Sequence, residues 1–232
     1  MPVDVDVCPV QLPGRENRWR ERPLEDCEEA VGLLAEALAP YTDRPFAFFG
    51  HSMGALLAHR PAHEFGTVRG APLRHLFVAA CTSPSLGPNP LAAGVVATYR
   101  ALGLAGLPSA AELLDVFDGQ PERLRHAMRE HLGEGAGEQL LGVMDPVGCA
   151  DLRIVHGYAR PTAEAPLAVP VTALHGRRDP LVTEEGMSAW QDLTAGTFRL
   201  EVFDGDHYFC HPDQARAALL ALLRTRLAGG LR

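Results

Sequence analysis

Phe46-Ala-Phe-Phe-Gly-His-Ser-Met-Gly-Ala-Leu-Leu-Ala58 is the stretch that decides how this chain is read. Pro45 to Phe49 is a short, almost wholly apolar run that ends at Gly50, the pattern of a buried strand. Ala55 to Ala58 opens a helical run, which Pro61 is expected to end or kink. Between them, Gly50-His-Ser-Met-Gly54 matches Gly-x-Ser-x-Gly. Such a pentapeptide arises by chance in about one chain in ten of this length, so its setting carries the weight. Strand, sharp turn and helix form the setting that lifts a serine hydroxyl out on a strained turn. The two glycines are read as positions where neighbouring chain comes too close for side chains. A plain Gly-Ser turn is the bland alternative.

Val3 to Val10 alternates Val and Asp before turning apolar, and reads as a strand. Gln11 to Pro23 is a polar, Arg-rich loop. Leu24 to Leu38 reads as an amphipathic helix, with Ala30, Leu33, Leu34, Ala37 and Leu38 on its apolar stripe. Further strands are expected at Leu73–Ala80, Val169–Leu174 and Thr197–Phe203, with helices at about Glu184–Leu193 and Pro212–Leu227. Strands alternating with helices imply an α/β fold, a mostly parallel sheet with helices on both faces. From Ser83 to about Val147 the pattern changes to Pro-rich turns and helix-like segments at Leu91–Leu104, Ala110–Phe117 and Pro121–Leu132. This stretch is read as a helical lid inserted at about 88–147 into a single domain spanning 1–232.

Composition narrows the classes. The 232 residues are 47% apolar and 22% charged, which excludes a disordered chain, a collagen-like repeat and a disulfide scaffold. The net charge of −8 argues against nucleic acid as partner, and every one of the 21 cationic residues is arginine. No apolar run is long enough for a membrane span, and the start resembles no signal peptide. Cys8, Cys27, Cys81, Cys149 and Cys210 are odd in number and scattered, which suggests reduced thiols in the cytoplasm. Cys81 reads as a small buried residue at a strand end.

A serine hydroxyl is a poor nucleophile until a base takes its proton. Asp179 follows the Val169–Leu174 run, and His207 follows the Thr197–Phe203 run. Open parallel sheets place their sites at the carboxyl ends of strands, so Ser52, Asp179 and His207 converge there in the order nucleophile, acid, base. Asp206 competes for the acid role, although a sequence neighbour is poorly placed to orient an imidazole. His59 with His63 and His207 with His211 invite a metal reading, but neither pair sits in a metal motif. The Gly50–Gly54 turn is no phosphate cradle. Neither metal nor cofactor is expected.

With these residues in place, the chain resembles the type II thioesterases, stand-alone α/β-hydrolases of polyketide and nonribosomal peptide synthesis. The resemblance rests on Val7–Asn17, Phe48–Leu57, Gly70–Phe77, Asp151–Val155, Leu174–Asp179 and Phe203–Phe209, in family order; Gln11-Leu-Pro-Gly-Arg-Glu16 is the most specific of them. It implies Ser52 as nucleophile, His207 as base and Asp179 as acid. It also implies a lid over a channel for the phosphopantetheine arm of an acyl or peptidyl carrier protein. On the lid, Leu91, Val95, Leu113 and Phe117 are the candidates to touch the acyl chain. Family members begin about 40 residues earlier, with a strand and loop that supply one oxyanion amide. Met1 stands roughly at the next strand, so that strand and loop are expected to be missing, leaving the Met53 backbone N–H as donor. Loss of one such donor typically costs about 100- to 1000-fold in rate. A carboxylesterase or acyltransferase, or a non-catalytic carrier-binding module, is the competing function. Two basic patches are candidates to meet an acidic carrier: Arg15, Arg18, Arg20 and Arg22 in the first loop, and Arg123, Arg125 and Arg129 on the lid.

Overall fold

Four apolar runs pair as parallel strands: β1 (Phe46–His51), β2 (Leu73–Ala79), β3 (Val171–Gly176) and β4 (Phe198–Phe203). Their order across the sheet is their order in the chain. The computed structural model describes residues 5–87, 146–160, 165–211 and 213–228. Side chains alternate between the two faces. Leu76 and Val78 with Val171 and Ala173 face a core built on α1 (Cys27–Leu38), α2 (Met53–His63) and α3 (Pro146–Gly157). Phe77, Ala79 and Leu174 face the opposite way, toward Leu219 of α5 (Asp213–Ala228) and Phe209. A short α4 (Glu184–Ser188) runs into a 3₁₀ turn at Ala189–Leu193, where the sequence suggested one continuous helix.

Local chemistry sets the boundaries. Helix α1 starts three residues later than its apolar pattern suggests, because the Asp26 carboxylate accepts the Glu29 N–H (2.8 Å) and fixes the N-cap. Its buried stripe is Cys27, Ala30 and Leu34, whereas Leu33 is 47% exposed. Pro61 neither ends α2 nor breaks it before His63; the chain then passes into a π turn at Glu64–Val68. The proline falls in the last turn, and the burial of Ala62 and Phe65 keeps the segment packed through it.

The segment read as a strand at Val3–Val10 is corrected. Residues 5–10 form no strand, and Val7 and Val10 stand 67% and 53% exposed. Alternation suits a half-buried strand only where there is a ladder to join. Among the described residues no strand lies on the outer side of β1, so these valines have none. The lid at 88–147, with Leu91, Val95, Leu113, Phe117, Arg123, Arg125 and Arg129, lies outside the described residues apart from its last two positions, which begin α3.

Two core histidines give the fold a pH dependence. His59 Nδ1 lies 2.9 Å from the Tyr158 hydroxyl, and His75 Nε2 lies 2.8 Å from Thr172 Oγ1. Burial pushes His59 down to about 3 and His75 down to about 4. Both folded values are depressed, so their contribution is complete above the unfolded value near 6.5. It is lost as pH falls from there through about 4 for His75 and about 3 for His59. Across that window each costs about 1.4 kcal/mol per pH unit, because the unfolded chain takes up a proton that the folded one refuses. The unfolding free energy in urea is therefore expected to fall steadily between about pH 6.5 and about pH 4.5, and less steeply in His75→Gln. A flat profile in the parent protein would contradict this.

Candidate active site

Ser52 is the single residue between β1 and α2, at φ 53° and ψ −124°. A non-glycine residue holds that conformation only when its surroundings impose it. Its N–H donates to the Ala79 carbonyl at the end of β2 (2.8 Å), and its carbonyl accepts from the Ala55 N–H (2.9 Å). A Cβ on Gly50 would lie 2.1 Å from the Gly54 carbonyl oxygen and 2.6 Å from Ala55 Cα. No side chain fits there. Gly54 differs from the sequence reading: apart from its own helix and chain neighbours, nothing among the described residues lies within 4 Å of a Cβ at that position. Among the described residues, a close approach demands the first of these two glycines and not the second.

Asp179 sits in the turn leaving β3, its N–H donating to the Gly176 carbonyl (2.9 Å). Its side chain is wholly buried. Oδ1 accepts the N–H groups of Leu181 (2.8 Å) and Val182 (3.2 Å), and Oδ2 accepts His207 Nδ1–H (2.9 Å). His207 lies in the loop after β4, which is pressed against the end of β3. A Cβ on Gly176 would stand 2.1 Å from the Asp206 carbonyl oxygen, and the Arg177 and Arg178 N–H groups donate to Phe203 and Gly205. His207 Nε2 is 3.2 Å from Ser52 Oγ.

A carboxylate only accepts, so the imidazole proton sits on Nδ1 and leaves the Nε2 lone pair for the serine hydroxyl. The three residues singled out in the sequence are thus joined by two hydrogen bonds at the carboxyl ends of β1, β3 and β4. Asp206 is occupied elsewhere, its Oδ1 accepting the Tyr208 N–H (2.8 Å). Met53 opens α2, so its N–H belongs to the N-terminal turn beside Ser52. Among the described residues no three His, Cys, Asp or Glu side chains gather as a metal-binding group. Cys81 is fully buried at the end of β2, and burial pushes its thiol up.

Three of the four first-loop arginines pair with carboxylates. Arg15 pairs with Asp151 of α3, Arg18 with Glu21 (2.6 Å) and Arg22 with Glu25 (3.5 Å), while Arg20 lies over the Trp19 ring. Arg153 reaches back to Glu25 (3.4 Å), so this loop is tied to α3 by charge. Arg15→Gln is therefore expected to lower hydrolysis of carrier-bound and carrier-free thioesters by the same factor. A loss confined to the carrier-bound substrate would restore this arginine as a docking residue.

The family model of the thioesterase domain matches residues 1–227, and the chain belongs to that family. It is 36% identical over 229 residues to the linear gramicidin dehydrogenase LgrE of Brevibacillus parabrevis, covering 98% of this chain and 79% of that protein. No Gly-x-Gly-x-x-Gly stretch occurs in this chain, so it offers no match to a dinucleotide cradle. Among solved structures, the RedJ thioesterase of the prodiginine pathway in Streptomyces coelicolor is similar, with a TM-score of 0.68 at 34% identity over 94% of this chain and 78% of that one. BorB, the type II thioesterase of the borrelidin cluster, gives 0.65 at 31% identity over 94% and 79%. The fold is that of an α/β-hydrolase. No helix among the described residues is long and apolar enough to cross a membrane.

Proposed function

We propose that this chain hydrolyses acyl thioesters carried on the phosphopantetheine arm of an acyl or peptidyl carrier protein, with Ser52 as nucleophile, His207 as base and Asp179 as its orienting acid. The observation that carries the reading is the continuous relay from Ser52 Oγ through His207 to the buried Asp179 carboxylate. Ser52 Oγ attacks the thioester carbonyl carbon while His207 Nε2 takes the hydroxyl proton. The Met53 N–H faces the developing oxyanion. The C–S bond then breaks, and the departing sulfur takes the proton from Nε2. Water adds to the acyl-serine, giving its proton to Nε2; the C–Oγ bond breaks, Oγ recovers that proton, and the acid departs.

The family and the resemblance support the thioester and the carrier. A cytoplasmic setting, where carrier-bound synthesis takes place, follows from the same reading. The test compares hydrolysis of an acyl-carrier thioester with that of the matching oxygen ester and labelling by a fluorophosphonate probe. Faster release from the thioester and labelling at Ser52 are expected. Preference for the ester would favour a carboxylesterase. A folded protein that binds carrier but takes no label would be a binding module.

A further inference from the structure

The loop bearing His207 is held to β3 and β4 by several contacts, yet Ser52 stands at the end of β1. Phe209 is buried and stacks on Phe203 at 5.0 Å, and the loop backbone bonds to Arg178. None of these contacts reaches β1. The last residue of β1, His51, does reach the loop. Its Nε2–H donates to the His207 backbone carbonyl at 2.8 Å. Among the described residues this is the one hydrogen bond between β1 and that loop besides the contact of Ser52 with His207 itself.

The ring is gripped from other sides. It stacks on Tyr208 at 5.8 Å and 26°, and stands edge-on to His207 at 5.1 Å. A carbonyl oxygen only accepts, so His51 must carry its proton on Nε2. Burial holds this imidazole below its ordinary range, against the hydrogen bond to the His207 carbonyl, which pulls the other way. It is a neutral ring with one donor committed to one acceptor.

We infer that His51 is a positioning residue: by holding the His207 carbonyl it sets the gap between Nε2 and Ser52 Oγ. The inference rests on the functional reading above and adds to it a residue that touches no reacting atom. A hydroxyl already 3.2 Å from its base tolerates little further separation. A misplacement of about 1 Å costs about 100-fold in rate, and the imidazole is exposed to such a shift wherever its loop is loose.

The test uses three variants of the full chain. His51→Phe and His51→Met keep a bulky side chain without a donor, whereas His51→Gln restores an N–H of similar reach. The donor-free pair are expected to lose roughly 30- to 100-fold in kcat, with KM held within about twofold. His51→Gln should recover to within about fivefold of the parent. A readout independent of turnover is the low-field His207 Nδ1–H resonance, assigned by its loss in His207→Gln. It should weaken or shift in the Phe and Met variants and persist in Gln. Parent-like kcat and resonance in either donor-free variant would overturn the inference, and so would a Gln variant that falls as far as Phe while remaining folded. Failure of the parent to label at Ser52 or to release acid would overturn the functional reading. The Nδ1 resonance would still decide the role of His51.

Discussion

Ser52→Ala is expected to abolish acyl-enzyme formation and to lower thioester hydrolysis by about 10⁵-fold or more, with His207→Ala close behind because the two groups act as one unit. Asp179→Asn is the sharper experiment. The two backbone N–H groups of Leu181 and Val182 need an acceptor, so the asparagine must present its carbonyl oxygen to them. Its NH₂ then faces His207 Nδ1, where a carboxylate oxygen had accepted. The imidazole is forced to place its proton on Nε2, the atom that should take the serine proton. The fold survives and the base is lost, for about 10⁴-fold in kcat. Steady-state kinetics with a melting curve for each variant check this. An Asp179→Asn protein with undiminished turnover would transfer the acid role to Asp206.

Gly50→Ala is expected to be severely damaging, costing about 4 kcal/mol or more. Its Cβ would collide with Gly54 and Ala55 main chain, which cannot swing aside as a side chain can. Relief requires α2 to move off β1, and that movement carries Ser52 away from His207. Gly54→Ala is the control from the same motif. It meets nothing among the described residues and lies in the first turn of α2, where alanine is the better helix former by about 1 kcal/mol. Urea titration should find the first variant crippled and the second no less stable than the parent. Equal damage at both positions would contradict the asymmetry of the turn.

The contrast shows what a motif conveys. Gly-x-Ser-x-Gly announces the turn, but two glycines that look alike in sequence carry different constraints, visible only when the neighbouring chain is in place. The core strands were legible because a covered parallel sheet writes itself as short apolar runs. Asp179 and His207 were legible because both stand just beyond such runs. The expected strand at Val3–Val10 misled over its described residues, 5–10, for the opposite reason: alternation records which faces a strand would have, and says nothing about a partner for its hydrogen bonds. Helix α3 was hidden at the end of the expected lid. Ala150, Ile154 and, just past its end, Tyr158 recur one turn apart and are buried, but Gly148 and Gly157 dilute the pattern. The pairing of Arg15 was not legible, because its partner Asp151 is remote in sequence. His51 gave no signal, since the residue before the serine is one of the two variable positions in the motif.

An acyl group is expected to pass through Ser52. Mixing the protein with acyl-carrier thioester, quenching in acid within the first turnover and mapping peptides by mass tests this. The acyl mass is expected on the peptide containing Ser52, in step with release of carrier thiol, with no adduct in Ser52→Ala. Thiol release at the parent rate from Ser52→Ala, or an acyl group on another residue, would contradict it.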